Sequence, residues 1–360
     1  MYILDGLNPQ QQAAVTHSGT PLLVIAGAGS GKTRVLTRRI AYLLGERNVA
    51  PYEVLAITFT NKAANEMKER VIELVGNRAK AMWVSTFHSA CVRILRSDAQ
   101  ALGYSNSFTI YDASDSLRLV TLVMKDMNLD PKRYNSRAIA GLISDAKNEL
   151  MGPADFAQTV KNQFDEIVAE VFTHYQKRLT NANAMDFDDL IGRTVELFQR
   201  HPEVRAKYRS RFKHILVDEY QDTNHAQYVL IREFVGVIYD GFPQAELCVV
   251  GDSDQSIYAF RGANIRNILQ FESDYQNART VLLEENYRST QNILSAANAV
   301  ISNNAGRKDK NLWSESGNGD IIKGYVAEDE HDEAGRAGSR KGGRGIRDVR
   351  RGRGFVICWR

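Results

Sequence analysis

Short unbroken apolar runs alternate with helically spaced stretches through the first third of the chain. Leu22–Ile25, Val54–Thr58 and Met82–Thr86 are each too short for a buried helix and read as buried strands. Between and after them, apolar residues recur every three or four positions, predicting helices such as Lys62–Val75 and His88–Leu102. That alternation predicts βαβ units and a parallel sheet, so the fold class is α/β. From Asp112 to His201 the strand signal lapses, and Ser116–Met127, Arg137–Ala146 and Phe164–Leu179 all have helical spacing. Strands resume at Ile215–Val217, Leu247–Val250 and Thr280–Leu283. The expected organisation is an α/β domain in two parts, 1–105 and 201–282, a helical insertion at 106–200, and the start of a second α/β domain at 283–334. Residues 335–360, rich in Arg and Gly, show no helix or strand period and are expected to be disordered or translated out of frame.

The length of 360 residues suits two or three domains. No apolar run approaches the roughly 18 residues that span a membrane, and the N-terminus carries an early Asp5 without a basic leader. Cys91, Cys248 and Cys358 lie far apart, without metal or disulfide spacing. A cytoplasmic protein with no membrane partner is expected. The net charge of +3 hides an uneven distribution: Gly335–Arg360 carries +8, which leaves the remainder at −5. Nucleic-acid binding by the body would therefore need a local groove rather than bulk attraction.

Three stretches carry chemistry. Ala26-Gly27-Ala28-Gly29-Ser30-Gly31-Lys32-Thr33 follows the first strand and opens a helix, the layout of a phosphate-binding loop. Small residues let backbone N–H groups turn towards phosphate, Lys32 reaches the β- and γ-phosphates, and the Thr33 hydroxyl suits Mg²⁺. Arg34 joins this nucleotide-binding group, and Ala26 stands where the pattern usually has glycine. His214-Ile215-Leu216-Val217-Asp218-Glu219 is a strand ending in two carboxylates, with Asp218 for the metal shell and Glu219 for the attacking water. In Gly251–Gly262, Gln255 suits sensing of the γ-phosphate, while Tyr258, Phe260 and Arg261 suit base stacking on a single strand.

The stretches Leu7–Gln12, AGAGSGKT, Ile57–Ala64, Ser85–Ser89, VDEYQDT, GDSDQSIYAFRGA and Glu285–Thr290 occur in this order. The chain thereby resembles the UvrD/Rep/PcrA group of superfamily 1 DNA helicases over about Leu4 to Ala334. The resemblance implies RecA-like domains and an ATP- and Mg²⁺-dependent enzyme of DNA repair or replication that moves 3′ to 5′ on single-stranded DNA. Its partners would be single strands and junctions of single- and double-stranded DNA. It further implies that Gln11 reads the adenine edge, Tyr287 stacks on the ring and Arg288 is an arginine finger. Phe59, Asn61, His88, Tyr258 and Phe260 would line the strand path, and Gln255 with Arg261 would couple it to the γ-phosphate. Phe260 stands where the group often has Trp, implying weaker stacking.

Glu328–Arg360 resembles none of the group's remaining motifs, so a C-terminally truncated second domain is expected. Two alternatives follow: a fragment that binds ATP and DNA without productive unwinding, or the helicase subunit of a helicase–nuclease complex. No carboxylate/Lys nuclease cluster supports the latter. Asp186-Phe187-Asp188-Asp189-Leu190 is acidic enough to suggest a metal, but is expected to cap the following helix. His17, His174, His201, His225 and His331 show no partner spacing and read as surface residues.

Overall fold

The computed structural model describes residues 3–236, 244–257, 262–304, 307–326, 331, 344–348 and 355–359. The chain divides into two compact units. One comprises Met1–Ile25 and Lys32–Val281; the other comprises Ala26–Gly31 and Leu282–Arg360.

The first unit opens with α1 (Pro9–Thr16), β1 (Leu22–Ala26) and α2 (Lys32–Gly45), then β2 (Val54–Thr58), α3 (Asn61–Val75), β3 (Trp83–Thr86) and α4 (Phe87–Asp98). After the insertion described below come α9 (Phe187–Arg200), α10 (Pro202–Arg211), β6 (His214–Val217), α11 (His225–Val235) and β7 (Glu246–Gly251). The short helices α12 (Arg266–Leu269) and α13 (Phe271–Asp274) lead to β8 (Arg279–Leu283), whose last two residues belong to the second unit. The sheet order is β3-β2-β6-β7-β1-β8, and the β1–β7, β7–β6, β6–β2 and β2–β3 pairs are parallel. Every residue of β1, β2 and β6 is buried, which is why these strands read as unbroken apolar runs rather than alternating ones. In such a sheet ligands meet the carboxyl ends of the strands, and the motif residues stand there. The loop at Ala26 follows β1, Phe59 follows β2, His88 follows β3 and Asp218 follows β6.

The insertion consists of β4 (Thr109–Tyr111), α5 (Ala113–Asp126), α6 (Ser136–Asn148), α7 (Pro153–Ala157), α8 (Gln163–Asn181) and β5 (Ala184–Asp186). β4 and β5 pair in parallel and close it off. Its own core includes Val120, Ile139, Ile143, Val168, Phe172 and Leu179. Side-chain caps fix the helix starts: Asp112, Asn135, Asn162 and Asp186 each accept from backbone N–H groups of the first turn. α9, inside the expected 106–200 insertion, packs on α4 and α11 as well as on α6. The short β5 ends the insertion before α9 begins.

In the second unit α14 (Gln291–Ile301) is followed by β9 (Lys323–Val326), β10 (Arg344–Asp348) and β11 (Phe355–Trp359), which form an antiparallel sheet in the order β10-β11-β9. The Arg/Gly segment was expected to lack regular structure, so these two strands are a difference. Phe355-Val356-Ile357-Cys358-Trp359 is a run of β-branched and aromatic residues, whose strand propensity the surrounding arginines and glycines obscure.

Candidate nucleotide and nucleic-acid site

Lys32 and Thr33 begin α2, so the orphan N–H groups of its first turn open where β1 ends. Lys32 Nζ donates to Glu219 Oε2 at 2.9 Å and to Gln255 Oε1 at 3.4 Å. Its side chain is 11% exposed, which strengthens these contacts relative to water. Arg34 lies in the same first turn, exposed, with its guanidinium over Gly6.

Asp218 and Glu219 leave the end of β6. Asp218 is buried and accepts the Glu219 N–H at 3.0 Å. Burial and the neighbouring Glu219 charge push its carboxyl up to about 6, against a smaller opposing pull from Lys32. Asp222 is likewise pushed up to about 6, by burial and then by Glu219. Glu219 has φ 48° and ψ 43°, a left-handed conformation rare for a residue with a side chain. That turn swings its carboxylate away from the strand direction and onto Lys32.

Gln221, to which sequence reasoning assigned no role, joins the two strand ends. It is 1% exposed. Its Nε2 donates to Glu219 Oε2 at 3.0 Å and Asp222 Oδ2 at 3.2 Å, while its Oε1 accepts from the Asp252 N–H at 2.9 Å. Gly251 makes this possible, since a Cβ there would stand 2.6 Å from Gln221 Oε1. Gln255 in turn donates to the Asp252 carboxylate. A continuous polar path thus runs from Lys32 through Glu219 and Gln221 to Asp252 and Gln255.

Gln11 lies in α1, fully buried. Asn8 and Gln11 form a reciprocal capping box: Gln11 N–H donates to Asn8 Oδ1 at 2.8 Å and Asn8 N–H donates to Gln11 Oε1 at 3.2 Å. The Gln11 amide, with an acceptor oxygen and a donor nitrogen, matches the adenine N6 and N7 positions in kind.

Within the second unit, the loop Ala26–Gly31 folds against the segment after β8. Ala26 is the last residue of β1 and has no positive φ, so alanine meets no penalty where the motif usually has glycine. Gly29 and Gly31 do need glycine, at φ 74° and 88°. Ser30 pins the loop by donating to Gly27 O from its N–H at 3.2 Å and its hydroxyl at 2.8 Å. Asn286 donates to Ala28 O, and Tyr287 N–H donates to Gly29 O at 3.0 Å. Asn286 Oδ1 also accepts from Arg288 and Ser289 N–H groups, which fixes the turn that bears Tyr287 and Arg288. Tyr287 remains 47% exposed. Asn286 received no role from the sequence, because one Asn in an ordinary turn gives no signal of its own.

Phe59 is half-buried, edge-on to Phe87 at 5.8 Å, and Asn61 is exposed at the start of α3. His88 is half-buried, and burial lowers its pKa so that the ring is neutral at pH 7. Against it, edge to face at 5.6 Å, stands Phe187 at the start of α9 with 47% exposure. Sequence reasoning assigned this exposed ring no role of its own, because its acidic neighbours drew the reading towards a helix cap. Tyr258, Phe260 and Arg261 lie outside the described residues.

Asp186 caps α9 by accepting the Asp189 N–H at 2.8 Å, as expected. A metal there is displaced by a cation of the chain itself: Lys147 Nζ lies 2.6 Å from Asp186 Oδ2 and 3.0 Å from Asp189 Oδ1.

The UvrD/REP helicase N-terminal domain matches residues 7–276 and the UvrD-like helicase C-terminal domain matches residues 281–339. The ATP-dependent DNA helicase UvrD1 of Mycobacterium tuberculosis is 61% identical over 337 residues, covering 92% of this chain and 44% of that protein. The ATP-dependent DNA helicase UvrD1 of Mycobacterium leprae is 58% identical over 341 residues, with the same coverage. The ATP-dependent DNA helicase PcrA of Bacillus subtilis is 54% identical over 331 residues, again covering 92% and 44%. The chain spans less than half the length of these relatives. With the first match alone extending over three quarters of its residues, the chain belongs to the UvrD/REP helicase family.

Proposed function

We propose that this chain forms the nucleotide- and strand-binding part of a cytoplasmic ATP-dependent DNA helicase that moves 3′ to 5′ on single-stranded DNA in repair or replication. The observation that carries this reading is the polar path from Lys32 through Glu219 and Gln221 to Asp252 and Gln255. It ties a phosphate-seeking ammonium to the ends of two neighbouring strands, so a change at the phosphates alters groups leading towards the aromatic surface. The partners are single strands and their junctions with duplex.

Each residue has a task in this reading. Gln11 suits the adenine edge, Tyr287 suits stacking on the ring, and Arg34 and the N–H groups of Ala26–Gly31 each suit phosphate. Lys32 exchanges Glu219 for the β- and γ-phosphates, which frees the Glu219 carboxylate to orient and accept a proton from water. Arg288 stabilises charge developing on the γ-phosphate, a contribution of about 10³–10⁵ in rate for such a finger. Gln255 senses the γ-phosphate. Phe59, Asn61, His88 and Phe187, with Tyr258, Phe260 and Arg261, hold the strand by stacking at roughly 1–3 kcal/mol per base without preference for sequence.

The residues also fit Mg²⁺. Asp218 is a buried carboxylate with an acidic neighbour, Lys32 pairs with Glu219 rather than with it, and the nearby Asp222 Oδ1 is buried without a hydrogen-bond partner. This excess of carboxylate favours a hard cation, and Thr33 offers a hydroxyl. Among the described residues no group of three or more His, Cys, Asp or Glu could hold a metal by itself. Phosphate oxygens and water would therefore complete the shell, where Mg²⁺ supplies charge neutralisation of the phosphates.

The test is ATP hydrolysis with and without single-stranded oligonucleotide. Stimulation by the oligonucleotide, lost in Lys32→Ala, is expected. A rate indifferent both to the strand and to Lys32→Ala would refute the reading.

A further inference from the structure

α1 carries the base-reading Gln11, yet its C-terminal end has no basic residue of its own to meet its last carbonyls. A cation from another helix meets them. Arg39, in α2, is 1% exposed, and its Nη1 donates to the carbonyls of Ala14 at 2.9 Å, Val15 at 3.2 Å and His17 at 2.8 Å. A buried guanidinium needs an anion, and Glu246 at the start of β7 supplies it, with Oε2 3.8 Å from Arg39 Nη2. Glu246 is itself fixed by a two-pronged pair with Arg47, at 2.7 and 2.8 Å, and by His214 Nδ1 at 3.4 Å. His17, expected at the surface, is half-buried and bonded through Nε2 to Thr20 O at 2.9 Å, which closes the turn after α1.

α2 therefore does two things. Its first turn holds Lys32 and Thr33 towards phosphate, and six residues later, about 9 Å along the axis, Arg39 holds the helix that reads the base. We propose that Arg39, held by Glu246, is a positioning residue that sets Gln11 for adenine and so determines the preference for ATP over GTP. The inference rests on the nucleotide-site reading above. Its physical basis is that Gln11 Oε1 can accept from the adenine amino group, whereas guanine presents an acceptor at the same place. Discrimination of this kind depends on the amide being held within a few tenths of an ångström, and the far end of an eight-residue helix is where it can be lost.

The experiment measures binding of fluorescent ATP and GTP analogues to the full chain, with competition by tripolyphosphate to read the phosphate subsite alone. For Arg39→Lys, ATP affinity is expected to fall about tenfold, with GTP and tripolyphosphate within about twofold, so that the preference collapses. Gln11→Ala should lose the same preference, and the double variant should lose little more than either single one, as coupled positions do. If Arg39→Lys does not fold by circular dichroism, Glu246→Gln, which weakens the hold on Arg39 without removing it, is judged by the same preference. A folded variant that retains the preference overturns the inference. So does an equal loss of all three ligands, which is what a merely structural role produces. A wild-type chain that binds none of the three contradicts the nucleotide-site reading itself, and takes the inference with it.

Discussion

Glu219 and Gly29 share a left-handed backbone for different reasons. At Glu219 the conformation is a cost, of order 1–3 kcal/mol for such outliers, and the bonds from Lys32 and Gln221 hold it in place. At Gly29 it is a requirement, because a Cβ would stand 2.7 Å from Asn286 Nδ2 and 2.8 Å from Arg288 Cβ. Gly29→Ala should therefore leave the fold of the first unit intact while weakening ATP binding about tenfold or more, measured by titration. Asp188 gives a prediction in pH. Burial and the charge of Asp186 raise its carboxyl to about 6, opposed by the Ser144 hydroxyl at 2.7 Å and by Lys147, with Asp189 adding repulsion. A raised carboxyl favours the protonated folded state, so its contribution is greatest below about 4 and is lost as pH rises through 6. Denaturant unfolding of Asp188→Asn should lose less stability than wild type between pH 5 and 7.5; parallel curves would contradict this. Such residues divide by their legibility. Lys32, Thr33, Asp218 and Glu219 were readable because their motif fixes spacing along the chain. Asn286 and Arg39 act through partners far away in sequence, and Gln221 gains its bridging role only by accepting from Asp252 just after β7.

Elements were legible where burial dictates a pattern. β1, β2 and β6 are buried throughout, so their sequences read as apolar runs, and α3 and α4 after β2 and β3 start at the capping side chains Thr60 and Thr86. The boundary of the insertion was less legible, because β4 and β5 have three residues each and pair across a gap of more than seventy residues. What joins insertion to body is an ionic pin. Lys147 of α6 is buried between Asp186 and Asp189, whose charges raise its pKa and hold it protonated despite burial. Tyr175 donates to Asp186 at 2.8 Å and Gln176 to Asp189 at 3.2 Å, so the carboxylates are also hydrogen-bonded. Breaking such a pair leaves uncompensated buried charge, costing about 3–5 kcal/mol. Lys147→Ala should lower unfolding stability by that order in denaturant titration, whereas a change below about 1 kcal/mol would show the pin to be dispensable.

At the scale of the whole molecule, charge and site point in different directions. The chain without its Arg/Gly segment is acidic, so in the proposed function a nucleic acid would be held by local stacking groups rather than by a general field. Phe59, His88 and Phe187 supply aromatic surface in the first unit, Phe59 following the end of β2 and His88 the end of β3. Among the described residues no helix is long and apolar enough to cross a membrane. In the proposed function a nucleotide is hydrolysed where Lys32 meets Glu219, under the control of a bound strand. This is tested most directly by comparing Glu219→Gln with wild type at saturating single-stranded oligonucleotide, measuring ATP affinity and turnover on the same sample. ATP affinity is expected to stay within about threefold of wild type, with turnover lowered by about 10²–10⁴. Turnover within tenfold of wild type, with ATP binding intact, would contradict it.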